Sequence, residues 1–206
     1  SPINVAIPSG NFGNAYSAWF GRSHGLKINQ IMCTTNVNDV LKRFIDSGIL
    51  EPQTTKPSVA PSMDIQIPSS LERLIYDFES DASSFYQDLN ENKKGMLSEG
   101  SREKLQHIFS SQTFDDEKIK EEIKTFNDLF GIVFDPHTVT SLRMAIDINS
   151  SVPTVAVATA SPKKFSNVIS PIIEDFQVSE IDRDEDFETL KPKKNQIIES
   201  IKAKFS

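Results

Sequence analysis

Ser9-Gly10-Asn11-Phe12-Gly13-Asn14 lies between two runs of opposite character. Before it, Ile3-Asn4-Val5-Ala6-Ile7 alternates and is rich in β-branched residues, the pattern of a buried strand, and Pro8 and Ser9 close it. After it, Ala15-Tyr16-Ser17-Ala18-Trp19-Phe20 reads as the first turns of a helix. A glycine-rich turn between a strand end and a helix start aims several backbone N–H groups at one spot. The helix dipole adds its positive end there, and the two together favour a phosphate. Gly10 and Gly13 let the backbone approach such an anion with no Cβ in the way. Two glycines in a strand–helix turn are also compatible with a bare tight turn.

The rest of the N-terminal segment continues in the same rhythm. A helix over 13–24 stops at His24-Gly25, and Lys27 to Cys33 forms a second strand. Thr35-Asn36 is expected to cap a helix over about 37–47, with Val37, Val40, Leu41, Phe44 and Ile45 on one face and Gly48 as its stop. Strand–helix–strand–helix implies an α/β fold with a parallel sheet flanked by helices. Residues 50–68 carry Pro52, Pro57, Pro61 and Pro68 and read as a loop. Leu71, Leu74, Ile75 and Phe78 mark a helix after it. Residues 80–115 mix polar runs with helical patches such as Arg102 to Phe109. Asp115-Asp116 opens a helix ended by Gly131, and Asp135-Pro136 opens one to about Ile146. Pro153 to Ala158 is a third strand, and Lys163 to Ile173 a last helix. From Glu174 the chain is charged and irregular, with weak helical spacing from Gln196 to Phe205.

A chain of 206 residues is long enough for one sizeable domain with its own core. The formal charge of -7 and the lack of a basic stripe argue against nucleic acid or an anionic membrane as partner. No apolar run approaches the roughly twenty residues that cross a bilayer. No charged start leads into an apolar segment, so no signal peptide is expected. The single cysteine, Cys33, sits in an apolar run and is expected as a small buried thiol, in keeping with a reducing, cytoplasmic compartment. Ser1-Pro2 leads at once into a core strand, which suggests the C-terminal piece of a longer polypeptide.

Read as a string, Ser-Gly-Asn-Phe-Gly-Asn after a strand resembles the cofactor-phosphate loop of threonine synthase, a pyridoxal-phosphate enzyme of the tryptophan-synthase-β-like group (fold type II). Further segments resemble that family in its own order. They are Thr35-Asn36-Val37-Asn38-Asp39 with Arg43-Phe44 and Gly48 behind it; Pro61-Ser62-Met63-Asp64-Ile65; Pro68 to Arg73; Asp135-Pro136-His137-Thr138; and Thr159 to Phe165. The resemblance covers about Ile3 to Ile173. It implies that residues 1–175 are the C-terminal part of the pyridoxal-phosphate-binding large domain, with 176–206 a charged tail. The implied reaction turns O-phosphohomoserine and water into threonine and phosphate.

The same resemblance assigns roles. Gly10, Asn11, Phe12, Gly13 and Asn14 would hold the cofactor phosphate, and Thr159 would meet the pyridine nitrogen. A hydroxyl there tunes how strongly the ring withdraws electrons. A helix N-cap before Pro162 is the other use for Thr159. Where the family has a histidine between Ala160 and Pro162, this chain has Ser161. The family's Schiff-base lysine sits in a Phe-Lys-Asp-type motif in its N-terminal portion, and none of the 16 lysines here lies in such a motif. The chain is therefore expected to supply walls of the site without its covalent anchor, and the N-terminal portion of the same enzyme is the expected partner. A truncated, inactive remnant that binds phosphate ligands or a partner is the alternative. A threonine dehydratase or cysteine synthase relative is the third, which the Asn-Val-Asn-Asp and Ser-Met-Asp-Ile strings disfavour. His137 reads as a structural histidine before a catalytic one, while Asn36, Asn38 and Asp39 fit a ligand site and a turn equally well. No cluster has metal-ligand spacing.

Overall fold

The computed structural model describes residues 1–176, 189, 191 and 193–205. In chain order the elements are β1 (Ile3–Pro8), α1 (Gly13–Ser23), β2 (Ile28–Thr35), α2 (Val40–Ser47), β3 (Ile49–Leu50), α3 (Leu71–Glu79), α4 (Ser83–Asn92), β4 (Gly95–Met96), α5 (Glu99–Ile108), β5 (Phe109–Thr113), α6 (Asp116–Phe130), α7 (Thr138–Asp147), β6 (Thr154–Ala156), α8 (Ser166–Ile169) and α9 (Lys194–Phe205). Four strands form a parallel sheet in the order β5-β2-β1-β6. The α/β expectation holds.

The period of two along the strands sorts the core into two layers. Ile31 and Cys33 face a cluster with Phe12, just before α1, and Trp19, Phe44 and Leu71 from α1, α2 and α3. Ala6 and Met32 face the other side, with Ile119, Ile123, Phe126 and Val139 from α6 and α7. Burial pushes the Cys33 thiol up to about 12, as befits a core residue.

Several boundaries differ from the sequence reading. The cap of α2 is Asp39 rather than Thr35-Asn36, because Thr35 continues β2 and pairs with Thr113. The expected strand over 153–158 is only Thr154–Ala156. The expected helix over 163–173 is a 3-10 turn over Pro162–Phe165 followed by α8, which stops short of Pro171. Strand β5 falls in the region read as helical patches and polar runs. Much of the expected charged tail (177–188, 190, 192 and 206) lies outside the described residues. Among the described residues, no helix is long and apolar enough to cross a membrane.

Candidate functional site

Strand β1 lies at the centre of the sheet, with β2 on one side and β6 on the other. The chain leaves β1 through α1 toward β2, and much later returns to the opposite flank as β6. Open parallel sheets bind ligands beyond the C-terminal ends of the strands, at the point where the connections diverge. A cleft of about 270 Å³ opens there, lined by Pro8, Ser9, Gly10, Asn11, Phe12, Gly13, Asn14, Ser62, Met63, His137, Thr159 and Ala160. All six residues that the sequence singled out are in this lining.

The loop turns sharply into α1 and leaves its backbone donors open. Phe12 is left-handed (φ 68°, ψ 4°), a conformation that strains an aromatic residue, and its ring is buried against Phe109 with centroids 5.7 Å apart. The core thus holds the backbone in a turn it would not choose. Helix α1 starts directly after it with no side-chain cap and no acidic residue in its first turn. By contrast, α5 and α6 are capped by Ser98 and Asp115. Among the described residues, the N–H groups of Gly10 to Asn14 donate to no protein acceptor. Among the described residues no lysine or arginine lines the cleft, so these N–H groups and the dipole are what would receive negative charge.

The two glycines differ. A Cβ on Gly10 would stand 2.3 Å from Ser62 O and 3.0 Å from Met63 Cα, so the facing backbone requires glycine there. A Cβ on Gly13 would meet only Ser70 Oγ, at an ordinary 3.7 Å. The fold alone does not call for glycine at position 13. Asn11 ties the loop to the start of α3: its Oδ1 accepts from Ser69 N (2.8 Å) and Ser69 Oγ (3.0 Å), and its carbonyl from Ser70 N (3.1 Å).

Ser62 and Met63, which the sequence reading did not place in the site, are held over the loop by a buried polar network. Asn36 Nδ2 donates to Ser58 Oγ (2.6 Å), Asp64 Oδ1 (2.6 Å) and Ala60 O (3.2 Å). Asn38 Nδ2 donates to Lys56 O (2.8 Å) and Asp64 Oδ1 (3.0 Å). Neither asparagine lines the cleft; both stitch the proline-rich loop to the β2–α2 turn. From the other side, His137 Nε2 accepts from Ser62 N (3.1 Å) while its Nδ1 donates to Asp135 Oδ1 (2.8 Å). The tautomer protonated on Nδ1 satisfies both partners. Burial pushes the Asp135 carboxyl up, but the hydrogen bonds from His137 and Thr138 outweigh it and hold the group below the usual carboxylate value.

Thr159 follows β6 and is exposed. Its N–H donates to Thr138 Oγ1 (3.2 Å), and among the described residues its hydroxyl has no partner. The cap position before Pro162 belongs to Ser161, which makes no capping bond either. A larger, shallower hollow of about 610 Å³ lies elsewhere, between α6 and residues 172–176, and contains none of the singled-out residues. Among the described residues, no group of His, Cys, Asp and Glu is arranged to hold a metal ion.

No family model matches the chain. Threonine synthase from Pseudomonas aeruginosa is 33% identical over an alignment of 173 residues that covers 81% of this chain and 37% of that protein. This chain matches the C-terminal portion of threonine synthase. The structure of PLP-bound threonine synthase from Brucella melitensis superposes with a TM-score of 0.83 at 27% identity, over 98% of this chain and 46% of that one. Yeast threonine synthase gives a TM-score of 0.79 at 25% identity, over 97% and 43%. The fold is therefore that of fold-type II pyridoxal-phosphate enzymes. The chain spans about two fifths of the length of the threonine synthases it matches.

Proposed function

We infer that this chain is the portion of a threonine synthase that holds the phosphate and the ring of pyridoxal phosphate, in an enzyme that converts O-phosphohomoserine and water to threonine and phosphate in amino-acid biosynthesis. The observation that carries this is the row of N–H groups from Gly10 to Asn14, without a partner among the described residues, at an uncapped helix start. Gly10, Asn11, Phe12, Gly13 and Asn14 would hold the phosphate, and the Thr159 hydroxyl would be the ring contact. When bound, the cofactor supplies an electron sink for carbanion chemistry on an amino-acid substrate. The chain's own residues orient it: the strained turn at Phe12 fixes the donors, the Ser62-Met63 turn walls the loop, and the Thr138 bond fixes Thr159 in the segment after β6.

Among the described residues, no lysine lines the cleft. On this reading the covalent anchor comes from the N-terminal portion of the enzyme, which is the partner of this chain, and the working compartment is the cytoplasm. Purified chain with added pyridoxal phosphate is expected to bind it weakly and reversibly and to release no phosphate from O-phosphohomoserine. Borohydride reduction followed by mass spectrometry is expected to give no defined adduct. A stoichiometric adduct on one lysine, or turnover above background, would sink this division of labour.

A further inference from the structure

Two walls of the cleft come from distant parts of the chain and converge on one buried carboxylate. Ser62 N–H donates to His137 Nε2 (3.1 Å), and His137 Nδ1 donates to Asp135 Oδ1 (2.8 Å). Thr159 N–H donates to Thr138 Oγ1 (3.2 Å), and the Thr138 hydroxyl donates to Asp135 Oδ2. Each carboxylate oxygen thus ends one arm. Asp135, His137 and Thr138 are 1%, 3% and 2% exposed, so water does not stand in for a partner lost between these three. The Asp135 bond also sets the His137 tautomer, which leaves Nε2 free to accept from Ser62. Asp135 Oδ1 further accepts from the N–H groups of His137 (3.0 Å) and Thr138 (3.4 Å), which anchors the start of α7.

We propose that Asp135 is a positioning residue that sets the Ser62 wall and the Thr159 wall of the cleft in one frame, through His137 and Thr138 respectively. What the walls hold rests on the cofactor reading above; how they are held does not. A carboxylate suits this hub because it accepts on both oxygens, whereas an amide would turn N–H groups toward one donor. The Ser62 arm reaches the phosphate loop, since Ser62 O packs against Gly10. The Thr159 arm reaches the residue assigned to the ring.

The test is residue-resolved amide hydrogen exchange on the purified chain. Losing the acceptor of a hydrogen-bonded N–H is expected to speed its exchange about tenfold. His137→Phe should do so at Ser62 and leave Thr159 unchanged; Thr138→Val should do the reverse; Asp135→Asn should do both. His137→Gln keeps an acceptor near the Nε2 position and should restore Ser62. Amides of β2, such as Ile31 and Cys33, should not move. Equal acceleration everywhere, β2 included, would show that these residues only stabilise the fold and would overturn the proposal. So would Asp135→Asn with Ser62 and Thr159 unmoved. If Asp135→Asn does not fold, the two single-arm variants decide, since each predicts acceleration at one wall only. A second readout is titration with inorganic phosphate, followed at the Gly10 to Asn14 amides: His137→Phe should weaken it and His137→Gln should restore it. Wild-type amides that ignore phosphate would defeat the cofactor reading, while the exchange pattern would still decide the hub.

Discussion

Gly10 and Gly13 belong to one loop, yet substituting them should move stability in opposite directions. At Gly10 a methyl group lands 2.3 Å from Ser62 O, against the 3.4 Å at which ordinary contact begins, so about 1 Å must be found. The obstructing atoms are backbone, and the Asn36–Asn38–Asp64 network and His137 hold that backbone in place. Forcing a methyl group into such packing costs about 1–3 kcal/mol. At Gly13 the methyl group meets Ser70 Oγ at 3.7 Å and the residue is the first of a helix, so Gly13→Ala should gain about 0.4–1 kcal/mol by restricting the unfolded chain. At this size each kcal/mol is worth about 2–4 °C in Tm, so thermal unfolding of the two purified variants separates them clearly. Binding should show the opposite order of interest. Gly13→Ala is expected to weaken pyridoxal phosphate or inorganic phosphate about tenfold or more, the loss of roughly one N–H bond to a charged acceptor. If Gly13→Ala binds phosphate as the wild type does, Gly13 is not there for an anion. If Gly10→Ala is as stable as the wild type, the contact with Ser62 does not constrain the loop.

Asp135 is held below the usual carboxylate value of 3.8 in the folded chain, so it contributes stability that is full above that value and is lost as pH falls through the lower folded one. Urea midpoints measured downward from about pH 5 should fall for the wild type and fall less for Asp135→Asn; parallel acid limbs would remove Asp135 from the account. Cys33, buried and pushed up to about 12, should resist thiol reagents in the native state and react once denaturant is added, and rapid stoichiometric labelling of the folded chain would contradict its burial. Thr159→Val should leave the melting temperature of the chain nearly unchanged, because the exposed hydroxyl has no partner among the described residues, while turnover of a complete enzyme carrying it should fall more than cofactor occupancy. A lost melting temperature with turnover intact would make Thr159 structural.

The elements that local chemistry dictates were legible. A β-branched run, a glycine loop and an amphipathic helix follow one another from Ile3 to Ser23, and each signal is complete within its own few residues. Strand β5 was not, because Phe109-Ser110-Ser111-Gln112-Thr113 carries a single large apolar residue. It lies at a sheet edge, and its register comes from pairing with β2. The misplaced cap of α2 has a similar cause. Asn36 has the right chemistry for a cap, but its side chain is committed to Ser58 and Asp64, 22 and 28 residues away.

The site divides along the same line. Its loop and Thr159 were visible as segments next to strand ends, whereas Ser62 and His137 enter only because a hydrogen bond spans 75 residues between them. The Asn-Val-Asn-Asp, Ser-Met-Asp-Ile and Asp-Pro-His-Thr strings nevertheless share a physical property. Each turns polar side chains inward, with Asn36, Asn38, Asp135 and His137 buried and Asp64 bonded to both asparagines. A buried polar group without a partner costs on the order of 1–3 kcal/mol, so such groups persist only in mutually satisfied sets. Asn36 and Asn38 need Asp64, which fixes the turn before it; that turn needs His137, and His137 needs Asp135. The three strings are thus parts of one scaffold that presses Ser62 against Gly10. The wall against which the Gly10 to Asn14 loop packs is held by residues more than a hundred positions away from it, which no local pattern reveals.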